Sequence, residues 1–297
     1  MYAVDLRGAF DLLRMQRLTQ RVWHPEARWH VGDLAWERRF HSLPTPEWPT
    51  RIWMEGDNLP IAWGWLTLPD LLDLVVDPAH DASLAQEVVD WAIGVAGRDA
   101  TLKATVTTGE RSLHDVLSRN RFVATEGFGQ RYLACVPTEV TQPDAPPGFS
   151  VRSVMPKPEE LEARVGVHVA AWDSKTMTTD VYRRVQHSWP YRYDLDIVAE
   201  HLQGDDVGSP VFASSCLAWF DDVNRVGELE PVGTDPRFRR RGLAAATCGE
   251  AVRRLGVAGA ERAIVYASGD PDRPAPIALY ESLGFEEITR TLELQRN

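Results

Sequence analysis

The chain runs one plan twice, and this repetition limits its possible folds more than any other feature. In the second half, LEPVGTDP (229–236) leads into the helix-forming run LAAATCGEAVRRLGVAG (243–259). A strand-like AIVYAS (263–268), a short helical stretch ending in ALYESLGF (278–285) and ITRTLEL (288–294) follow. In the first half, LLDLVVDP (71–78) leads into LAQEVVDWAIGVAG (84–97), LKATVTT (102–108), SLHDVLSRNRF (112–122) and RYLACV (131–136). The order is the same each time: strand, Asp-Pro, helix, strand, short helix, strand. A supersecondary unit repeated in this way predicts two related α+β domains, and 297 residues suffice for two cores. Between them PTEVTQPDAPPG (137–148) holds four prolines and little that should pack, so it reads as a linker. The expected division is 1–136, 137–148 and 149–297.

Charge and composition exclude several partners. A net charge of -11 argues against a broad nucleic-acid surface, though not against a local anion site. No apolar run reaches the ~18 residues of a membrane span. Asp5, Arg7, Asp11 and Arg14 break any signal-peptide core, so a cytoplasmic protein is expected. The three cysteines, Cys135, Cys216 and Cys248, are scattered, which predicts buried small hydrophobes rather than a disulfide or metal site. Within HPEARWH, His24 and His30 match no helical metal pair and read as structural. Eight of the eleven tryptophans precede residue 100 and are expected to fill a core or an interface.

One local cluster stands against the acidic total. PRFRRRGLA (236–244) places Arg237, Arg239, Arg240 and Arg241 beside Gly242. Asp235-Pro236 ends a strand, because proline cannot continue a ladder. The alanine- and leucine-rich run after Gly242 favours a helix. The arginines therefore sit in a loop entering a helix N-terminus, where unpaired N–H groups and the macrodipole suit phosphate. A solvated charge run on a turn is the competing reading. There is no GxxxxGK[ST], no GxGxxG after a strand, no GxSxG and no HExxH.

Arg239-Arg240-Arg241-Gly242-Leu243-Ala244 resembles the R/Q-x-x-G-x-G/A signature of the GCN5-related N-acetyltransferases. The preceding Val-Gly-Thr-Asp-Pro resembles that family's fourth strand, and ALYESLGF its C-terminal helix and turn. The resemblance covers roughly residues 150–297, with the first half as a degenerate second copy. It implies an α+β fold of two tandem domains. Each would be a mixed, mostly antiparallel sheet flanked by helices and splayed between its fourth and fifth strands.

The resemblance also implies roles. Acetyl-coenzyme A, a cosubstrate, would lie in the splay, its pantetheine arm along Val232, Gly233 and Thr234. Its diphosphate would sit on the amides of Arg240, Arg241, Gly242, Leu243, Ala244 and Ala245, with Arg239 adding charge. An ammonium must lose a proton before attacking a thioester, and a carboxylate serves as base. Glu228 and Glu230 are candidates. Alternation puts both on one strand face, and Glu230 is expected nearer the splay. Tyr280 matches the family's general acid, with a core tyrosine as the alternative. Many relatives carry asparagine where this chain has Arg273, which puts coenzyme contacts from that loop in doubt and leaves Ser268 as a weak substitute.

The first half offers AHDASLA where the second has RFRRRGLA, so His80 and Asp81 replace the arginines and glycine, and His114 falls at the tyrosine position. No coenzyme site is expected there; a wall of the acceptor pocket is. Acceptor contacts are expected from 160–190 and beyond, with Trp172, Tyr182, Trp189, Tyr191 and Tyr193 either lining a pocket or filling a core. The expected activity is acetyl-CoA-dependent acetylation of a small-molecule primary amine by a monomer or homodimer, without metal, nucleic acid or membrane. The alternatives are a coenzyme-binding sensor without turnover and acetylation of a peptide or protein amine.

Overall fold

Strand FASSCLAWFD (212–221) is buried along its whole length. A run that is small or apolar on both faces belongs at the centre of a sheet covered on both sides. The computed structural model describes residues 1–38, 48–80, 82–202 and 210–297. Its first half comprises β1 (Tyr2–Asp5), α1 (Ala9–Val22), α2 (Val31–Glu37), β2 (Thr50–Glu55), β3 (Leu59–Thr67), β4 (Leu71–Val76), α3 (Ala82–Ala96), β5 (Leu102–Thr107), α4 (Arg111–Arg119), β6 (Val123–Ala124) and β7 (Gln130–Cys135). The second comprises β8 (Phe149–Ser153), α5 (Pro158–Trp172), α6 (Thr179–Gln186), β9 (Asp196–His201), β10 (Phe212–Asp221), β11 (Val226–Thr234), α7 (Leu243–Ala258), β12 (Arg262–Ser268), α8 (Ala275–Ser282) and β13 (Glu286–Arg296). The repeated plan is therefore real at the level of elements, and the fold is α+β.

The two sets of strands make one 13-stranded sheet, in the order β1-β2-β3-β4-β5-β13-β7-β12-β11-β10-β9-β8, with β6 on β13. Each half ends by lending its last strand to the other. The first half's β7 pairs antiparallel with β12, from Cys135 opposite Ala263 to Gln130 opposite Ser268. The second half's β13 pairs antiparallel with β5, from Thr291 opposite Thr107 to Arg296 opposite Leu102. The earlier part of β13 also pairs with β7. The ladder thus runs unbroken across the expected division at 137–148, and the exchange leaves no unpaired edge between the halves.

Side-chain alternation on β10 assigns the covering helices. Cys216, Ala218 and Phe220 join a core with Cys248, Ala251, Val252 and Leu255 of α7. Leu217 and Trp219 point the other way and join Leu161 and Val165 of α5, Tyr182 of α6, and Ala35 and Trp36 of α2. A first-half helix therefore covers second-half sheet. Stretch 137–148 is more than a spacer: Val140 packs against the α7 core, and Pro143 lies over Gly249. The expectation that it has little to pack is corrected, because small residues on α7 let the prolines close in.

Candidate active site

Strands β11 and β12 pair in parallel only from Val226–Glu228 to Arg262–Ile264. Beyond that point β11 stays with β10, where Val232, Gly233 and Thr234 lie opposite Cys216, Ser215 and Ser214. Strand β12 stays with β7. Residues 229–234 and 265–268 thus diverge and leave strand edges where an extended amide-bearing chain can pair. The ladder ends at Glu228, so the splay begins there rather than nearer Glu230, as expected from sequence. A bulge follows: Leu229 faces Ala218 and Val232 faces Cys216, with Glu230 and Pro231 between them.

The arginine loop opens α7. Asp235 ion-pairs with Arg237 at 2.7 Å and accepts its amide at 2.9 Å, so Arg237 is engaged with its own turn. Arg239 donates to the carbonyls of Thr234 (3.2 Å) and Ala171 (3.1 Å), tying the loop to the end of α5. Arg240 takes φ +61° and Gly242 φ +80°, left-handed angles that cost glycine little and arginine more. Ala246 is the first residue of this stretch whose amide bonds back, to Gly242 O at 3.0 Å. Among the described residues the amides of Arg240, Arg241, Gly242, Leu243, Ala244 and Ala245 meet no protein acceptor. Arg241 packs over Phe238, at 5.6 Å from the ring centroid. Six free donors at a helix start, with two exposed guanidinium groups beside them, form an anion cradle.

Tyr280 lies on α8 at 5% exposure, its ring 5.8 Å from that of Phe285. Burial pushes its hydroxyl well above the usual tyrosine range, and Cys248, Cys216 and Glu230 add to the effect. Among the described residues its hydroxyl has no hydrogen-bond partner in the protein. The loop before α8 turns on itself, with the Asp270 amide on Ser268 Oγ (3.3 Å) and the Arg273 amide on Asp270 O (3.0 Å).

Glu228 sits in a buried polar cluster that the sequence did not reveal. Its Oε2 lies 3.0 Å from Nδ1 of His30, and both side chains are 1% exposed. His30 caps α2: Nδ1 accepts the Gly32 amide (3.1 Å), while Asp33 Oδ2 accepts the His30 amide (3.1 Å). Arg28 donates to the Tyr132 hydroxyl (2.9 Å) and lies 3.9 Å from Asp33. Tyr132 stacks on Tyr266 at 5.3 Å. Burial pushes the Glu228 carboxyl up to about 7. Burial and the neighbouring Glu228 push Asp33 up to about 8. Burial brings His30 down to about 4. Glu228 Oε1, Asp33 Oδ1 and His30 Nε2 are buried without partners among the described residues. His30 is therefore a structural helix cap that also meets Glu228. No spacing rule could have found this set, whose members come from α2 and its preceding loop, β7, β11 and β12.

The expected acceptor wall divides. Tyr182 is fully buried and donates to Asp196 at 2.5 Å, and Tyr191 donates to the same carboxylate at 3.0 Å. Arg164 closes this group with a buried ion pair to Asp196 at 2.8 Å. Tyr182 is thus corrected to a core residue, because an acidic partner satisfies its hydroxyl inside. Trp172 is 55% exposed and reaches Gly233, where an added Cβ would meet its Nε1 at 2.9 Å. Trp189 is 38% and Tyr193 37% exposed.

The first half splays at the same place, with β4 and β5 paired only through Leu71–Leu72 and Lys103–Ala104. A cleft of about 370 Å³ opens there, lined in part by Trp29, Asp77, His80, Glu110 and Val116. His80 is 3.4 Å from Glu55, and Asp77 is paired with Arg21 at 2.8 Å. His114 sits 3.9 Å from Asp115. Asp81 lies outside the described residues. Among the described residues no His/Cys/Asp/Glu group could hold a metal, and no helix is long and apolar enough to cross a membrane.

Residues 178–285 match the Acetyltransferase (GNAT) family. A mycothiol acetyltransferase from Saccharomonospora viridis is 32% identical over 163 residues, which is 50% of this chain and 50% of that protein. The match thus spans half the length of this curated relative. Among solved structures, a tandem GNAT protein from the clavulanic acid biosynthesis pathway superposes with a TM-score of 0.65 at 14% identity, covering 99% of this chain and 98% of that one. A GCN5-related N-acetyltransferase from Sphaerobacter thermophilus gives 0.62 at 16% identity, covering 99% and 95%. These two likenesses establish the tandem fold.

Proposed function

We propose that the second half, where residues 178–285 match the GNAT family, is an acetyltransferase domain and that the protein transfers an acetyl group from acetyl-coenzyme A to the primary amine of a small molecule. The observation that carries this reading is the row of amides from Arg240 to Ala245, which meet no acceptor among the described residues, beside the splay of β11 and β12. The donor set suits a diphosphate, and the open edge of Val232, Gly233 and Thr234 suits a pantetheine arm. Residues 149–297 carry this site, and residues 1–136 supply a wall without binding coenzyme. The first-half counterpart of the loop at 239–242, AHDASLA (79–85), contains no glycine and no arginine.

Glu228 is the base in this reading. It stands where the splay opens, and its carboxyl, raised to about 7, takes up a proton readily near neutral pH. Directly or through a water, Glu228 removes a proton from the acceptor ammonium. The freed amine forms the N–C bond at the thioester carbonyl, the C–S bond breaks as the adduct collapses, and the nitrogen sheds its second proton, which restores the one that Tyr280 gives up. Tyr280 gives the thiolate its proton; its own raised affinity for that proton makes it a reluctant donor until the thiolate develops beside it. Glu230, whose charge reaches both Tyr266 and Tyr280, tunes the site. Trp172, Trp189 and Tyr193 are the exposed aromatics of this group that remain available to an acceptor. A small-molecule amine is in keeping with the mycothiol acetyltransferase match. Three free, buried cysteines fit a reducing cytoplasm.

The test is a panel of small amines, amino acids and peptides offered with acetyl-CoA while released thiol is measured. Thiol release with a small amine, lost when the cradle is blocked, supports the proposal. Coenzyme binding without turnover on any amine overturns it.

A further inference from the structure

The contact between Glu228 and His30 holds a proton whose place the backbone decides. Nδ1 of His30 accepts the amide of Gly32 at 3.1 Å. A backbone N–H can only donate, so Nδ1 presents its lone pair and a neutral ring carries its hydrogen on Nε2. The same Nδ1 lies 3.0 Å from Oε2 of Glu228. An ionised carboxylate would set lone pair against lone pair there, whereas a carboxylic acid donates to Nδ1. A charged imidazolium would point an N–H at the Gly32 amide, and both side chains are sealed at 1% exposure.

We propose that His30, delivered by the first half, is a positioning residue that keeps a proton on Oε2 of Glu228 and thereby sets the pH at which the second-half site can accept a proton from its substrate. Only after Oε2 has lost its proton is the carboxyl a base, and Oε1, buried without a partner among the described residues, is then the oxygen that receives the substrate's proton. The inference rests on Glu228 as base.

Other charges bear on the same carboxyl. Arg28, in the loop before α2, favours the ionised form, and Glu37 of α2 disfavours it. Asp33 of α2 hydrogen-bonds Glu228 and favours its ionised form, while the charge of Glu228 in turn raises Asp33. Tyr132 of β7 and Tyr266 of β12 face it as neutral phenols. Asp221, at the end of β10, faces His30. None of these takes the Gly32 amide, so none replaces His30 in fixing which atom holds the proton.

The experiment is a side-chain nitrogen NMR titration of the full chain, the His30 signals being those lost in His30→Asn. Below neutrality Nδ1 is expected to be pyridine-like and Nε2 pyrrole-like. The Nδ1 signal then steps as Glu228 ionises, and Glu228→Gln removes the step. A pyrrole-like Nδ1, an imidazolium just below neutrality, or a step that survives Glu228→Gln overturns the proposal. Asparagine at 30 keeps the helix cap but offers the carboxylate an N–H. The acid limb of kcat/KM is then expected to move down by about one pH unit. An unmoved limb in folded His30→Asn also overturns it. If no amine is acetylated, the activity reading fails, yet the NMR result still decides where the proton sits.

Discussion

Glu228 and His30 stand 198 positions apart in the chain, yet their side chains lie 3.0 Å from one another in the interior. One comes from the point where the second half's strands part, the other from the helix cap by which the first half closes over that sheet. The joint between the halves thus encloses this pair, and in the proposed reading it is part of the site's chemistry.

Gly242→Asp is expected to abolish the thermal stabilisation that acetyl-CoA confers. The position has φ +80°, so an aspartate is strained there, and its carboxylate repels a diphosphate. A loss of affinity of at least about tenfold, or about 1.4 kcal/mol, should appear in a melting titration. Unchanged stabilisation would move the cradle elsewhere.

Tyr280→Phe is expected to lower turnover by about 100-fold while sparing acetyl-CoA affinity, because one hydroxyl is removed from a packed ring. Steady-state kinetics with a calorimetric titration separates the two effects. Equal turnover would leave Tyr280 as a core residue alone.

Glu228→Gln should cost about 100-fold or more in kcat and erase the acid limb of the rate profile, which is expected near pH 7 in the unaltered protein. Glu230→Gln should cost less and keep the limb. The reverse ranking would transfer the base to Glu230.

Folding stability should fall as pH rises from about 6.5 towards 8. Glu228, raised from 4.5 to about 7, and Asp33, raised from 3.8 to about 8, hold protons in the native state that the unfolded chain has lost. With the native state binding more protons, unfolding free energy declines with pH. His30, lowered from 6.5 to about 4, acts in the opposite sense below 6.5 and is spent above it. Urea titrations at several pH values should show the decline, and Glu228→Gln should make it shallower. A profile rising through that window would mean the carboxyls are ionised in the fold.

Titration should give one coenzyme per chain. The first-half cleft has its own splay and about 370 Å³ of space. Its α3 entrance, however, carries AHDASLA in place of RFRRRGLA. A stoichiometry of two would show that a cradle can be built without the glycine and the guanidinium groups.

By itself the sequence determined what lies within a few neighbouring residues. The strand, Asp-Pro and helix order of each half, the loop at 239–242 and the helix bearing Tyr280 all follow from local propensity, from proline's missing donor and from one glycine's backbone freedom. Only the tertiary structure decided the rest. The exchange of β7 and β13 depends on which strand edges meet, and the burial of Tyr182 on a carboxylate fourteen residues away. The pairing of His30 with Glu228 depends on a helix of one half lying across the sheet of the other. Contacts between distant segments leave no period in the sequence. Charge and burial act through space, so a histidine that reads as structural becomes the partner of a buried carboxyl once the fold encloses both.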